Sequence, residues 1–156
     1  MDGKEVVKLI KTERHYLQNI LKDFRPEHGD FKPSEEMRTV GQQIKHIALT
    51  TKFYYETVFG SGFTMSFEDY KAEMKKPISL EKALKDLDEC YNKAESLVGN
   101  KTAAELNAPL PDNPMLGEGT LESAIIRNTD HTAHHRGALT VYLRLLGIKP
   151  QIIYAP

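Results

Sequence analysis

Apolar residues recur along this chain at intervals of three and four, in long runs separated by short stretches of helix-breaking residues. In the first run Val6, Leu9, Ile10, Leu17, Ile20, Leu21 and Phe24 share one helix face, and Asp2 with Glu5 makes a capping box ahead of them. This predicts a helix over about residues 3–24. Arg25 to Asp30, with Pro26 and Gly29, breaks it, and Phe31 to Pro33 continues the loop. Thr39 and Gln42 form a second capping box, so the next helix starts there and ends near Gly60. Residues 60–78 read as a looser stretch with one short helix around Phe67 to Met74, closed by Pro77. Ser79 then caps a third long helix reaching Val98, with Leu80, Leu84, Leu87, Tyr91, Ala94 and Val98 on one stripe and Gly99 as its stop. A capped turn over Thr102 to Glu105 leads into a surface loop from Asn107 to Gly119, rich in Pro, Gly, Asp and Asn. The last long helix runs from about Thr120 to Gly147, with Pro150 beyond it.

Four long amphipathic helices without an alternating strand pattern predict an all-α fold, a four-helix bundle in a single domain over residues 1–156. The tail Ile152-Ile153-Tyr154 is apolar enough to dock on the bundle or on a neighbouring subunit, and its β-branched residues allow a short strand. The second helix has two partly apolar sides. Val40, Ile44, Ile47, Thr51, Tyr54 and Val58 form one; His46 lies on the other with Gln43, Leu49, Thr50, Phe53 and Thr57. A helix covered on both sides argues for a partner subunit, hence a homodimer.

Composition narrows the partners. The 21 basic and 22 acidic side chains nearly cancel and no basic patch stands out, which excludes the electrostatic footprint of a nucleic-acid binder. No apolar signal core opens the chain and no stretch approaches about 18 apolar residues, so a cytoplasmic protein without a membrane span is expected. Cys90, the single cysteine, fits a reducing compartment and reads as a packed residue of the third long helix.

The candidate chemistry sits in Asp130-His131-Thr132-Ala133-His134-His135-Arg136-Gly137. His131 and His135, four positions apart, stack on one helix face and can turn toward one ion. They share a sector with Leu121, Ala124, Asn128, Ala138, Leu139, Tyr142 and Leu146, which places them at the centre of the expected buried face. With His46 from the second helix they offer three neutral nitrogens and an open fourth position, the arrangement of a catalytic zinc site. Two other readings stand beside it. Buried histidines are often hydrogen-bonded core residues, and His134 competes with His135 as the partner of His131. A metalloprotease helix would carry Glu after its first histidine; Thr132 stands there, which disfavours peptide hydrolysis. His15 and His28 are expected at the surface. Gln43, Thr50, Phe53, Asn128 and Tyr142 are pocket candidates by wheel position; no catalytic side chain is assigned. Coordination needs neutral imidazoles, so metal affinity is expected to fall below about pH 6.5, the ordinary histidine value.

The segment from Asp130 to Leu139, followed by Tyr142-Leu143-Arg144-Leu145-Leu146-Gly147 and Lys149-Pro150, closely resembles the end of DinB-like proteins. Thr39-Val40-Gly41-Gln42-Gln43-Ile44-Lys45-His46-Ile47-Ala48 resembles that superfamily's other motif, a capped helix start leading to a histidine. The resemblance covers the whole chain in helix order and length. It implies an up-down-down-up bundle with short extra helices in its connections, usually dimeric, holding one divalent ion, zinc or nickel, on His46, His131 and His135. It also implies a metal-dependent enzyme acting on small electrophiles, possible low-molecular-weight-thiol S-transferase activity included. The alternatives it leaves are a non-catalytic metal-binding stress protein and a metal-dependent hydrolase. Ala138 departs from the family pattern, where a polar residue, often Gln, is common.

Overall fold

Each long helix begins where a side chain takes over an otherwise unpaired backbone amide. Asp2, Thr39 and Thr120 each cap reciprocally with the residue three positions on, and Ser79 accepts from the Lys82 amide. The computed structural model describes residues 1–155. Its helices are α1 (Gly3–Leu21), α2 (Val40–Phe59), α3 (Phe67–Lys75), α4 (Leu80–Val98), α5 (Ala103–Leu106) and α6 (Leu121–Leu145), with a 3₁₀ turn at Pro26–His28.

Contacts at the helix ends give the direction of each rod. The Gly3 amide donates to the Lys101 carbonyl, which sets the start of α1 against the end of α4. Gly3 is required there, because a Cβ would lie 2.1 Å from the Val98 carbonyl oxygen. The N-terminal ammonium pairs with Glu122, so α1 and α6 start together. Gly41 lies against Ile78, so α2 and α4 also start together, and a Cβ on Gly41 would meet the Ile78 carbonyl oxygen at 2.7 Å. The Tyr142 hydroxyl donates to the Arg38 carbonyl, which brings the end of α6 to the start of α2. The bundle is therefore up-down-down-up over α1, α2, α4 and α6. Neighbours pack in the ring α1, α4, α2, α6. Parallel α2 and α4 need a return connection along the bundle, and α3 occupies it.

Val6, Ile10, Leu17 and Ile20 of α1 meet Val40, Ile44 and Ile47 of α2, Leu87 and Val98 of α4, and Leu139 and Leu143 of α6 in the core. Burying each such side chain stabilises by about 1.5–3 kcal/mol. One polar layer crosses this core with a residue from each long helix: Glu13, Tyr55, Tyr91 and Thr132. The Tyr91 hydroxyl donates to Glu13 Oε1 at 2.8 Å, and burial holds the Glu13 carboxyl above its ordinary pKa.

Several expectations are corrected. α1 stops at Leu21; Phe24 keeps the apolar spacing and is buried, but from a turn. His28 is not at the surface. It is 7 % exposed, and its Nδ1 accepts from the Arg25 amide. His15 is half-buried, with Nε2 against the Ala155 carbonyl at 2.8 Å. The tail forms no strand among the described residues: Asn19 donates to the Ile153 and Ala155 carbonyls, and Tyr154 meets Tyr16 edge to face. The buried face of α6 runs through Ala124, Asn128, Thr132, Leu139 and Leu143, leaving His131 on its flank. Ile126, Val141 and Leu145 point outward, so apolar residues on two sides blurred the stripe. Residues 63–70 of the same chain face the second apolar side of α2 across a cavity, so that side alone does not call for a second subunit.

Candidate metal centre

α2 and α6 pack antiparallel, and His46 from the second turn of α2 meets His131 and His135 from the middle of α6. The three Nε2 atoms form a triangle whose every edge is 3.0 Å. Such a triangle cannot be closed by hydrogen bonds. In a neutral imidazole Nε2 either donates or accepts, so among three mutual neighbours at least one pair presents two N–H groups or two lone pairs to each other. Three lone pairs converging on a cation leave no such conflict. Each corner lies about 1.7 Å from the centre, so an ion with zinc-like bonds of about 2.0–2.1 Å reaches all three from just off their plane. The histidines thus make a group that could hold a metal ion, and no other such group gathers among the described residues.

Two of the three outer nitrogens have side-chain partners. His46 Nδ1 bonds the Tyr70 hydroxyl, which α3 places over α2. Gln43 Nε2 lies 2.6 Å from His135 Nδ1, and the two ends of a side-chain amide exchange by a simple flip. With its oxygen turned to the ring, that amide accepts from Nδ1–H and leaves the Nε2 lone pair free. His131 Nδ1 is buried without a partner. Burial above all, helped by Arg38 and the neighbouring imidazoles, pushes His46 down to about 3, and burial with the same neighbours pushes His131 and His135 down to about 4. All three are neutral at physiological pH. The window for proton competition therefore lies near pH 4, not near the ordinary value of about 6.5 expected from residue type.

The other sequence candidates divide. Gln43 touches His135, whereas Thr50 and Phe53 line a cavity of about 250 Å³ that has His46 in its wall. Asn128 and Tyr142 are not in that wall: Asn128 is 1 % exposed with both amide atoms unpartnered, and Tyr142 bonds Arg38. His134 is exposed, its ring 4.8 Å from that of His135 and outside the triangle. Arg136 is buried between the Tyr16 and Tyr154 rings. Tyr70 and Arg38 were not singled out from sequence, because neither shares a helix face with a histidine and only the tertiary fold brings them in. A larger cavity of about 420 Å³ between α2 and α4 touches none of the three histidines. Cys90 lines it, and burial raises that thiol to about 11, which leaves it a poor nucleophile.

The DinB superfamily model matches residues 9–139. YjoA of Bacillus subtilis (strain 168), an uncharacterized protein, is 21% identical over 147 residues, spanning 93% of this chain and 91% of that protein. The crystal structure of that DinB-like protein superposes with a TM-score of 0.71 at 17% identity, covering 96% of this chain and 97% of the other. A DinB-like protein from Bacillus cereus ATCC 10987 gives 0.74 at 19% identity, covering 96% and 95%. At such identities the likeness to the solved structures establishes the fold alone. No helix among the described residues is long and apolar enough to cross a membrane.

Proposed function

The chain belongs to the DinB superfamily, and from its histidine triangle we propose that it is a divalent-metal-dependent enzyme acting on small electrophiles, a low-molecular-weight-thiol S-transferase in the first instance. The observation that carries this reading is the triangle of 3.0 Å edges, which three neutral imidazoles cannot satisfy among themselves. We take the ion to be zinc or nickel, as the family resemblance implies, and imidazole donors suit both. A cation there lowers the pKa of a neighbouring thiol or water and supplies an anionic nucleophile near neutral pH. The protein's own part is positional. Tyr70 and Gln43 fix two of the rings, and the apolar cavity beside His46 receives the electrophile's body away from water. Among the described residues no carboxylate sits in the wall of that cavity to act as a general base, which favours a nucleophile ionised by the cation over base-assisted hydrolysis.

We place the protein in the cytoplasm and propose a homodimer formed through the outer side of α6. Ile126, Val141 and Leu145 lie there within a sector of about 100°, each more than half exposed. The test of function is metal content after tag-free purification, followed by turnover of a thiol with a chromogenic electrophile. Stoichiometric ion and chelator-sensitive conjugation are expected. Protein that holds no ion when offered zinc and nickel would sink the proposal.

A further inference from the structure

We propose that the ligand of this site has an anionic head and an apolar body, the head received by Arg38 and the body by the aromatic-walled cavity beneath α3. The inference rests in part on the metal reading above, and its first support is charge. All three candidate ligands are neutral histidines, so a divalent ion keeps its full charge. Asp130, an exposed carboxylate, acts on His131. Arg38 adds a further positive charge on the same side, and it joins no ion pair among the described residues. A half-buried guanidinium beside a cation site, with no carboxylate of its own, is a receptor for an anion.

Position is the second support. Arg38 directly precedes the Thr39 cap of α2, and its carbonyl accepts from the Tyr142 hydroxyl at 2.9 Å, which fixes the backbone. Its guanidinium lies near enough to act on the Tyr70 hydroxyl, and that hydroxyl bonds His46 Nδ1. Tyr70 also forms part of the cavity wall with Phe53, Phe63, Phe67 and Met115. One side chain therefore borders the guanidinium, the triangle and the cavity. A cavity of about 150 Å³ accommodates benzene, so the roughly 250 Å³ here admits a single ring with a short substituent. The fitting class is a small arylalkyl or branched aliphatic carboxylate, or an equivalent monoanion.

Calorimetric titration of the metal-loaded, untagged protein with phenylacetate, acetate and phenylacetamide tests this. Phenylacetate should bind at least about tenfold tighter than acetate, which lacks the body, and than phenylacetamide, which lacks the charge. Arg38→Gln should keep its metal and its helical circular dichroism and lose most of the preference for phenylacetate over phenylacetamide, the remainder being that of the ion itself. Equal binding of acid and amide by the wild type, a preference undiminished in Arg38→Gln, or acetate as strong as phenylacetate would each overturn the inference. Metal content measured on the same samples separates the two readings. Metal-replete protein without the preference defeats this inference and leaves the metal site standing, whereas an Arg38-dependent preference in protein that takes up no ion does the reverse.

Discussion

At Nε2 of His46, His131 and His135 a proton and a metal ion compete for the same lone pair. Removing any one imidazole leaves two donors and opens a second position, so His46→Ala, His131→Ala and His135→Ala should each lower metal occupancy sharply. His134→Ala should not, since that ring is exposed and outside the triangle. Metal analysis of the four variants decides the point, and full occupancy in His46→Ala would break the two-helix site. Burial lowers all three pKa values to about 3 or 4. The lone pairs of the folded protein thus stay free through pH 5, and the ion should leave only as the pH approaches about 4. Equilibrium dialysis across pH 3.5–7.5 checks this; a midpoint near 6.5 would mean that the imidazoles titrate as if exposed. The His131/His135 spacing could be read from sequence because i and i+4 is a local relation. Tyr70 and Arg38 could not, because where α3 carries Tyr70 and where the segment before α2 carries Arg38 is set by packing between elements far apart in sequence.

Among the elements, α3 depends most on one contact. Lys45 of α2 is buried; its ammonium donates to the Glu73 carbonyl at 2.8 Å and pairs with the Glu73 carboxylate at 2.5 Å. Neutralising Glu73 leaves a buried charge with one partner fewer. Glu73→Gln should therefore destabilise by about 1–3 kcal/mol and loosen α3, raising hydrogen exchange over residues 67–75. Unchanged exchange there would mean that the aromatic contacts of Phe67 and Tyr70 hold α3 alone. The polar layer supplies a second test. The raised Glu13 pKa means that the folded state favours the protonated acid, so its stabilising contribution is complete below the ordinary carboxylate value and is lost as pH rises through the folded value. Glu13→Gln stays neutral throughout, so its stability relative to wild type should increase from pH 4 to pH 8; a constant or shrinking difference in denaturant midpoints would contradict this. Helix starts were legible because Asp2, Thr39, Ser79 and Thr120 act on amides within three residues. The orientation of α6 was less so, since outward Ile126, Val141 and Leu145 carry the same apolar signal as the core face.

For the whole molecule, the site and the core are separable, and this fixes what a chelator should do. Val6, Leu17, Ile44, Leu87, Leu139 and Leu143 bury their side chains without reference to the triangle, so metal-free protein should still unfold cooperatively. An ion at about a hundred times its dissociation constant adds about 2.7 kcal/mol, which for a chain of this size raises the melting temperature by roughly 5–10 °C. The pH dependence follows from the folded pKa values of about 3 to 4, set against an ordinary value of about 6.5 in the unfolded chain. Each histidine has a depressed folded pKa, so its contribution to stability is full above about 6.5 and drains as pH falls toward 4. Both the metal-free and the metal-loaded protein should therefore melt lower at pH 5.5 than at pH 7.5. Their difference should stay nearly constant over that interval, because in the folded state protons do not yet displace the ion. Scanning calorimetry with and without chelator at the two pH values measures all four quantities. A metal increment that disappears by pH 5.5 would show that protons reach the triangle more easily than its burial allows, and metal-free protein without a cooperative transition would show that the ion is part of the core.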